Sequence, residues 1–139
     1  MNKFEFKTNI EQALDSFDSG VSTDDLNFIV DMLYDEKETW YFNDFYEFGK
    51  EMRSEDENVL YVLQQYDALP ELRDYDVQVR DWFADHKQAS KDVLSYASMD
   101  TSDLHNILFI DLEIMLEWLQ DHKQAHRDCL IYVKHRIKK

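Results

Sequence analysis

The sequence predicts an all-α protein, a compact bundle of about five helices in a single domain spanning residues 1–139. Two observations carry that expectation. Glycine occurs twice and proline once in 139 residues, too little turn chemistry for a sandwich, a barrel or repeated βαβ units. Apolar residues recur at intervals of three and four along most of the chain, the period of a helix with one buried face. A hydrophobic content of 44% with 14% aromatics supplies a core despite 32% charged residues.

Phe4, Phe6, Ile10, Ala13, Leu14 and Phe17 define the first helix, which Asp18, Ser19 and Gly20 end in a C-terminal glycine setting. Ser22 and Asp25 have the spacing of a capping box, with Asp where Glu is usual, and open a second helix buried through Leu26, Ile29, Val30 and Leu33. A third helical stretch lies between Trp40 and Gln65, kinked or interrupted at 49–57 where like charges crowd successive turns. Pro70 fits the first turn of a fourth helix running to about Met99. Asp100, Thr101, Ser102 and Asp103 then cap a fifth, either one rod of roughly 50 Å to the C-terminus or two segments with a bend. Lys134, Arg136, Lys138 and Lys139 suit the negative end of its dipole.

The two C-terminal helices carry a repeat. DWFADHKQASKDVLSY (Asp81 to Tyr96) and EWLQDHKQAHRDCLIY (Glu117 to Tyr132) agree at nine of sixteen positions, a W-x-x-D-H-K-Q-A-x-x-D-x-L-x-Y pattern offset by 36 residues. An unbroken DHKQA run is the mark of a duplicated helical unit. Trp82, His86, Ala89, Val93 and Tyr96 advance by four, three, four and three, as do Trp118, His122, Ala125, Cys129 and Tyr132. That is a heptad seam in which Trp and Tyr seek burial and small Ala89 and Ala125 permit close helix approach. Each histidine reads as a satisfied core or interface group bonded to a carboxylate or a carbonyl, against a functional reading as ligand or acid-base group.

Composition excludes several functions. The net charge of −15 repels phosphates and anionic membranes and favours basic protein partners, so direct nucleic-acid or membrane binding is not expected. No run approaches the roughly 18 apolar residues of a membrane span, since Asp111, Glu113 and Glu117 interrupt the greasiest stretch. The lone Cys129 and the lack of a leader-like opening lead to a cytoplasmic expectation. His122, His126 and Cys129, at i, i+4 and i+7, resemble an incomplete zinc set: the first copy has Ser90 and Val93 instead, and no fourth ligand is specified. Two glycines leave nothing from which to build a phosphate loop. No catalytic, cofactor-binding or metal-ligating residue is therefore expected, and a metal-dependent hydrolase using carboxylates such as Asp111 and Glu117 stands only as a remote alternative.

The charge is segregated. Residues 1–76 hold 20 acidic and 6 basic side chains, a net of −14, whereas 77–139 hold 10 and 9, a net of −1. The stretch from Asp31 to Glu57 interleaves carboxylates with Trp40, Tyr41, Phe42, Phe45, Tyr46 and Phe48, too many rings for one narrow core stripe. Asp35, Glu36, Glu38, Asp44, Glu47, Glu51, Glu55, Asp56 and Glu57 are the candidate partner contacts, with Trp40 and Tyr46 as aromatic anchors. In size and charge the chain resembles small acidic inhibitors that phages and mobile elements encode against restriction or CRISPR nucleases, a resemblance of composition without a shared motif. It implies an inhibitor that fills the cationic nucleic-acid groove of a nuclease complex. The alternative is a helical oligomerisation or scaffold module, a homodimer through the Trp-His-Ala-Tyr seam.

Overall fold

The computed structural model describes residues 1–54 and 58–137. Every regular element among them is helical: α1 (Lys3–Ser16), α2 (Thr23–Leu33), α3 (Phe42–Ser54), α4 (Val59–Gln65), α5 (Asp76–Ala84), α6 (Lys87–Tyr96), α7 (Leu112–Asp121) and α8 (Lys123–Ile137), with 3₁₀ segments at Leu72–Asp74 and Leu104–Phe109. The all-α class stands, built from more and shorter helices than the periodicity suggests. The chain forms two compact units, Met1–Leu69 and Pro70–Lys139.

Local signals set several boundaries. Ser22 caps α2 by accepting the Asp25 N–H at 3.1 Å, as its spacing predicts. Asn2 and Asn58 do the same for α1 and α4. The ends of α1 and α4 depart from the glycine expectation. Asp18 (φ 55°) and Asp67 (φ 51°) take the left-handed position, and no glycine does. Ser19 N–H then bonds the Leu14 carbonyl, and Ala68 N–H the Leu63 carbonyl, closing Schellman ends without Gly20. Pro70 does not enter a helix: a 3₁₀ turn follows it and α5 begins only at Asp76.

In the N-terminal unit α1 packs on α2 and α3, and α4 packs on α2 and α3. Gly49, inside α3, is a packing residue. A Cβ there would stand 2.8 Å from the Ala13 carbonyl oxygen, so its absence is what lets α1 and α3 approach. Phe6, Trp40, Phe45, Phe48 and Tyr66 form a continuous ring cluster, with neighbouring centroids 5.1 to 6.2 Å apart.

In the C-terminal unit each copy of the repeat is a corner between two helices, not one helix. The fourth helix expected to reach Met99 ends at Ala84, and α7 ends at Asp121. His86 (φ −126°, ψ 85°) and His122 (φ −123°, ψ 81°) hold the same non-helical conformation. Their Nδ1 atoms lie 2.6 and 2.7 Å from the carbonyl oxygens of Trp82 and Trp118, four residues back. The imidazole N–H thus satisfies a carbonyl that the broken helix leaves without its amide partner. Each ring also stacks on its tryptophan, at 4.2 and 3.9 Å. A period of 3.6 passes straight through such a corner, which is why the spacing suggests unbroken helices.

The corner also changes the seam. Between the copies α5 pairs with α8 and α6 with α7, rather than one long stripe against its copy. Trp82 and Trp118 are buried, whereas His86, His122 and Tyr96 are exposed and Tyr132 is half-buried.

A candidate acidic interface on the third helix

Helix α3 organises the candidate residues into two unlike stripes. Phe45, Phe48, Gly49 and Met52 form its buried face. Asp44, Glu47 and Glu51, at i, i+3 and i+7, share a stripe on one flank, beside α4. Tyr66, just after α4, feels all three: burial first, then Glu51, Glu47 and Asp44, pushes its phenol up to about 12. Three carboxylates of one helix flank thus act on a single phenol, the mark of a local concentration of negative charge. Glu51 is the most enclosed, with one carboxylate oxygen buried and without a hydrogen-bond partner.

Tyr46 does not belong to that stripe. It lies with Phe42 on the opposite flank, roughly 150° around the helix at 3.6 residues per turn, where its ring meets Phe17 of α1 at 5.1 Å. Its exposed helical neighbours there are Lys50 and Arg53, so the expected pairing of Tyr46 with the carboxylates is not formed. Trp40 is half-buried and packs on Phe6, Phe45, Phe48 and Tyr66, making it part of the core cluster. Of the six rings from Trp40 to Phe48, Tyr46 is 45% exposed, and those that reach furthest into solvent are Tyr41 (72%) and Phe42 (85%), which the sequence groups with the others without singling them out. Their signal was register: they precede the i, i+3, i+7 core set that begins at Phe45.

The other candidates divide between exposure and local work. Glu36 and Glu38 are exposed in the connection between α2 and α3, and half-buried Asp35 accepts the Lys37 N–H at 2.9 Å. Asp44 reaches back to the Tyr41 N–H at 2.8 Å, capping α3 from its first turn. Glu55, Asp56 and Glu57 lie outside the described residues.

The possible metal and enzyme sites look different in three dimensions. No group of three His, Cys, Asp or Glu residues among those described is disposed to hold a metal ion. Cys129 is buried, which pushes its thiol up to about 12, and burial followed by Arg127 lowers the His126 imidazole. His122 has its Nδ1 committed to the Trp118 carbonyl. Asp111 caps α7 through the Glu113 N–H, and Glu117 accepts from the Tyr96 hydroxyl at 3.2 Å, so each has a structural task. An open groove of about 460 Å³ between α1 and α2 is lined by Lys3, Phe4, Lys7, Asn27, Val30 and Asp31, and Lys3 pairs with Asp31 across it.

Among the described residues no helix is long and apolar enough to cross a membrane. Comparison with protein-family models, curated proteins and solved structures gave no significant match.

Proposed function

We propose that this chain acts by binding rather than by catalysis, and that it presents the acidic flank of α3 to the cationic groove of a nucleic-acid-binding protein. The observation that carries this reading is the Asp44, Glu47 and Glu51 stripe, whose combined charge helps to hold the Tyr66 phenol near 12. Lys and Arg groups that grip phosphates accept carboxylates with the same geometry. Glu36 and Glu38 add exposed carboxylates in the α2–α3 connection, and the exposed ring of Tyr41, just before α3, is the candidate apolar contact. The partner class that suits such a surface is a nuclease complex of a bacterial defence system, such as a restriction or CRISPR effector, with the chain as its inhibitor.

The test is charge reversal with competition. Asp44→Lys, Glu47→Lys and Glu51→Lys together should abolish binding to a basic groove and leave helical content unchanged, and wild-type binding should weaken steeply as salt rises. Undiminished binding of the triple variant, or simultaneous binding of nucleic acid and this chain to one partner, would show that the acidic flank is not the contact.

A further inference from the structure

The C-terminal unit packs its two repeat copies against each other reciprocally. Helix α5 of the first copy meets α8 of the second, and α6 meets α7. Tyr96 of the first copy donates to Glu117 and also feels Asp121 of the second. Tyr132 of the second copy feels Asp85 and Asp81 of the first, the residues equivalent to that acidic pair. Rings cross the boundary in one run: His86 on Trp82, Trp82 to Phe83 at 5.0 Å, Phe83 to Trp118 at 5.6 Å, Trp118 on His122. A contact in which i meets j while j meets i is isologous, the arrangement of a two-fold dimer, here formed inside one chain.

The link between the copies is built unlike the rest. The 3₁₀ segment Leu104–Phe109 is held on the first copy: Ile107 and Ile110 are buried, and Arg80 Nη1 donates to the Ile107 carbonyl at 2.8 Å. Only Ile110 and Asp111, both extended, join it to α7. Immediately before them Leu108 is 60% exposed and Phe109 76%, two large apolar side chains side by side at a two-residue hinge.

We propose that a second copy of this chain is the partner of this unit, through exchange of the α7–α8 arm at Ile110–Asp111. In the exchanged dimer α7–α8 of each chain packs on α5–α6 of the other, every contact between the copies is remade between chains, and the two hinges run together so that their Leu108 and Phe109 side chains cover one another. Self-complementarity supplies the interface, and the exposed hinge pair supplies what the closed chain lacks. The closed form has the advantage of effective concentration, so the exchange grows with protein concentration. This inference concerns the C-terminal unit alone and does not rest on the acidic flank of α3.

The test uses the full chain, with light scattering from micromolar to millimolar protein, and a Tyr96→Cys, Glu117→Cys variant joined by a short bismaleimide and quenched before denaturation, native Cys129 being buried. The expected result is a dimer mass at high concentration, with the crosslinked product running as two chains on a denaturing gel. A single-chain mass throughout, or a dimer whose crosslinks stay within single chains, would overturn the exchange. Leu108→Glu with Phe109→Glu should remove the dimer while helical content is kept, and a dimer indifferent to both changes would refute the role given to the hinge pair.

Discussion

The N-terminal unit carries 17 acidic and 5 basic residues and the C-terminal unit 13 and 10, and the two put these charges to different uses. In the C-terminal unit carboxylates serve the fold. Asp76 pairs with Arg80 and Glu113 with Arg73, Asp111 caps α7, and Glu117 receives the Tyr96 hydroxyl. In the N-terminal unit Asp44, Glu47 and Glu51 are gathered on one flank around a phenol whose ionisation they oppose. Like charges at i, i+3 and i+7 disfavour a helix by a few tenths of a kcal/mol per pair. The nets of −12 and −3 therefore separate a unit rich in unbalanced carboxylates from one in which carboxylates and cations nearly cancel.

The comparison can be broken first at the rings of the C-terminal unit. Trp82 and Trp118 are 2% and 4% exposed in equivalent corners, so Trp82→Ala and Trp118→Ala should each destabilise by about 3 to 5 kcal/mol, in similar amounts. Denaturant titration measures both. A large effect from one and none from the other would show that the duplicated corners are not equivalent.

The N-terminal unit has its own sensitive point at Gly49. Alanine there gains helix propensity of about 1 kcal/mol, but its Cβ would meet the Ala13 carbonyl oxygen at 2.8 Å, a backbone atom that cannot rotate away. Overpacking of this kind costs about 1 to 3 kcal/mol, so Gly49→Ala should lower the melting temperature. A stabilised variant would mean that α1 and α3 approach less closely.

The corner histidines come next. His86→Ala and His122→Ala each remove a hydrogen bond to a tryptophan carbonyl and a ring stack, together worth about 1 to 2 kcal/mol. Gln in place of His keeps a donor without the stack and should recover part of that loss. Equal behaviour of Ala and Gln in urea titrations would remove the carbonyl bond from the account.

These sites also show where sequence suffices. Ser22 announces the start of α2 because capping is a contact between residues three apart, and the repeat is visible because identity needs no geometry. Gly49 is silent in sequence because the atom that forbids its side chain belongs to another helix. Trp40 has the composition of a surface anchor, yet Phe6 and Tyr66, distant along the chain, draw it into the core. Likewise Tyr46 sits among carboxylates in sequence and away from them on the helix, since neighbours along the chain point to different faces. The acidic flank is legible as composition, while its division from the aromatic flank requires the register of α3.

Tyr66 gives the acidic flank a pH signature. Its phenol titrates near 10 in the unfolded chain and at about 12 in the folded one, so the folded state holds the proton more tightly. The associated stability is fully present below pH 10 and is lost as pH rises toward 12. Absorbance titration should show a late tyrosinate that Tyr66→Phe removes, and Glu51→Gln with Glu47→Gln should bring its midpoint down. A midpoint unmoved by both neutral substitutions would leave burial as the main cause and dissolve the link to Glu47 and Glu51.

The smallest effects concern helix ends, and they sharpen the same contrast. Asp18, Asp67 and Ser98 all hold left-handed conformations, with φ of 55°, 51° and 59°, where glycine is free of the Cβ penalty. All three close Schellman ends: Ser98 N–H bonds the Ser95 carbonyl and Met99 N–H the Leu94 carbonyl, matching the pattern at α1 and α4. The two N-terminal positions add a second penalty, because an aspartate at a helix C-terminus faces the negative end of the dipole, by about 0.3 to 1 kcal/mol. Ser98 in the C-terminal unit carries only the backbone term. Glycine should therefore stabilise at all three, by about 1 kcal/mol at Asp18 and Asp67 and about 0.5 kcal/mol at Ser98, after the entropy that glycine adds to the unfolded chain. Salt separates the two contributions: the gain at the aspartates should shrink toward that at Ser98 as ionic strength rises, while the Ser98 gain stays constant. If the three gains are equal and indifferent to salt, charge plays no part at these ends, and the excess acidity of the N-terminal unit costs the fold nothing there.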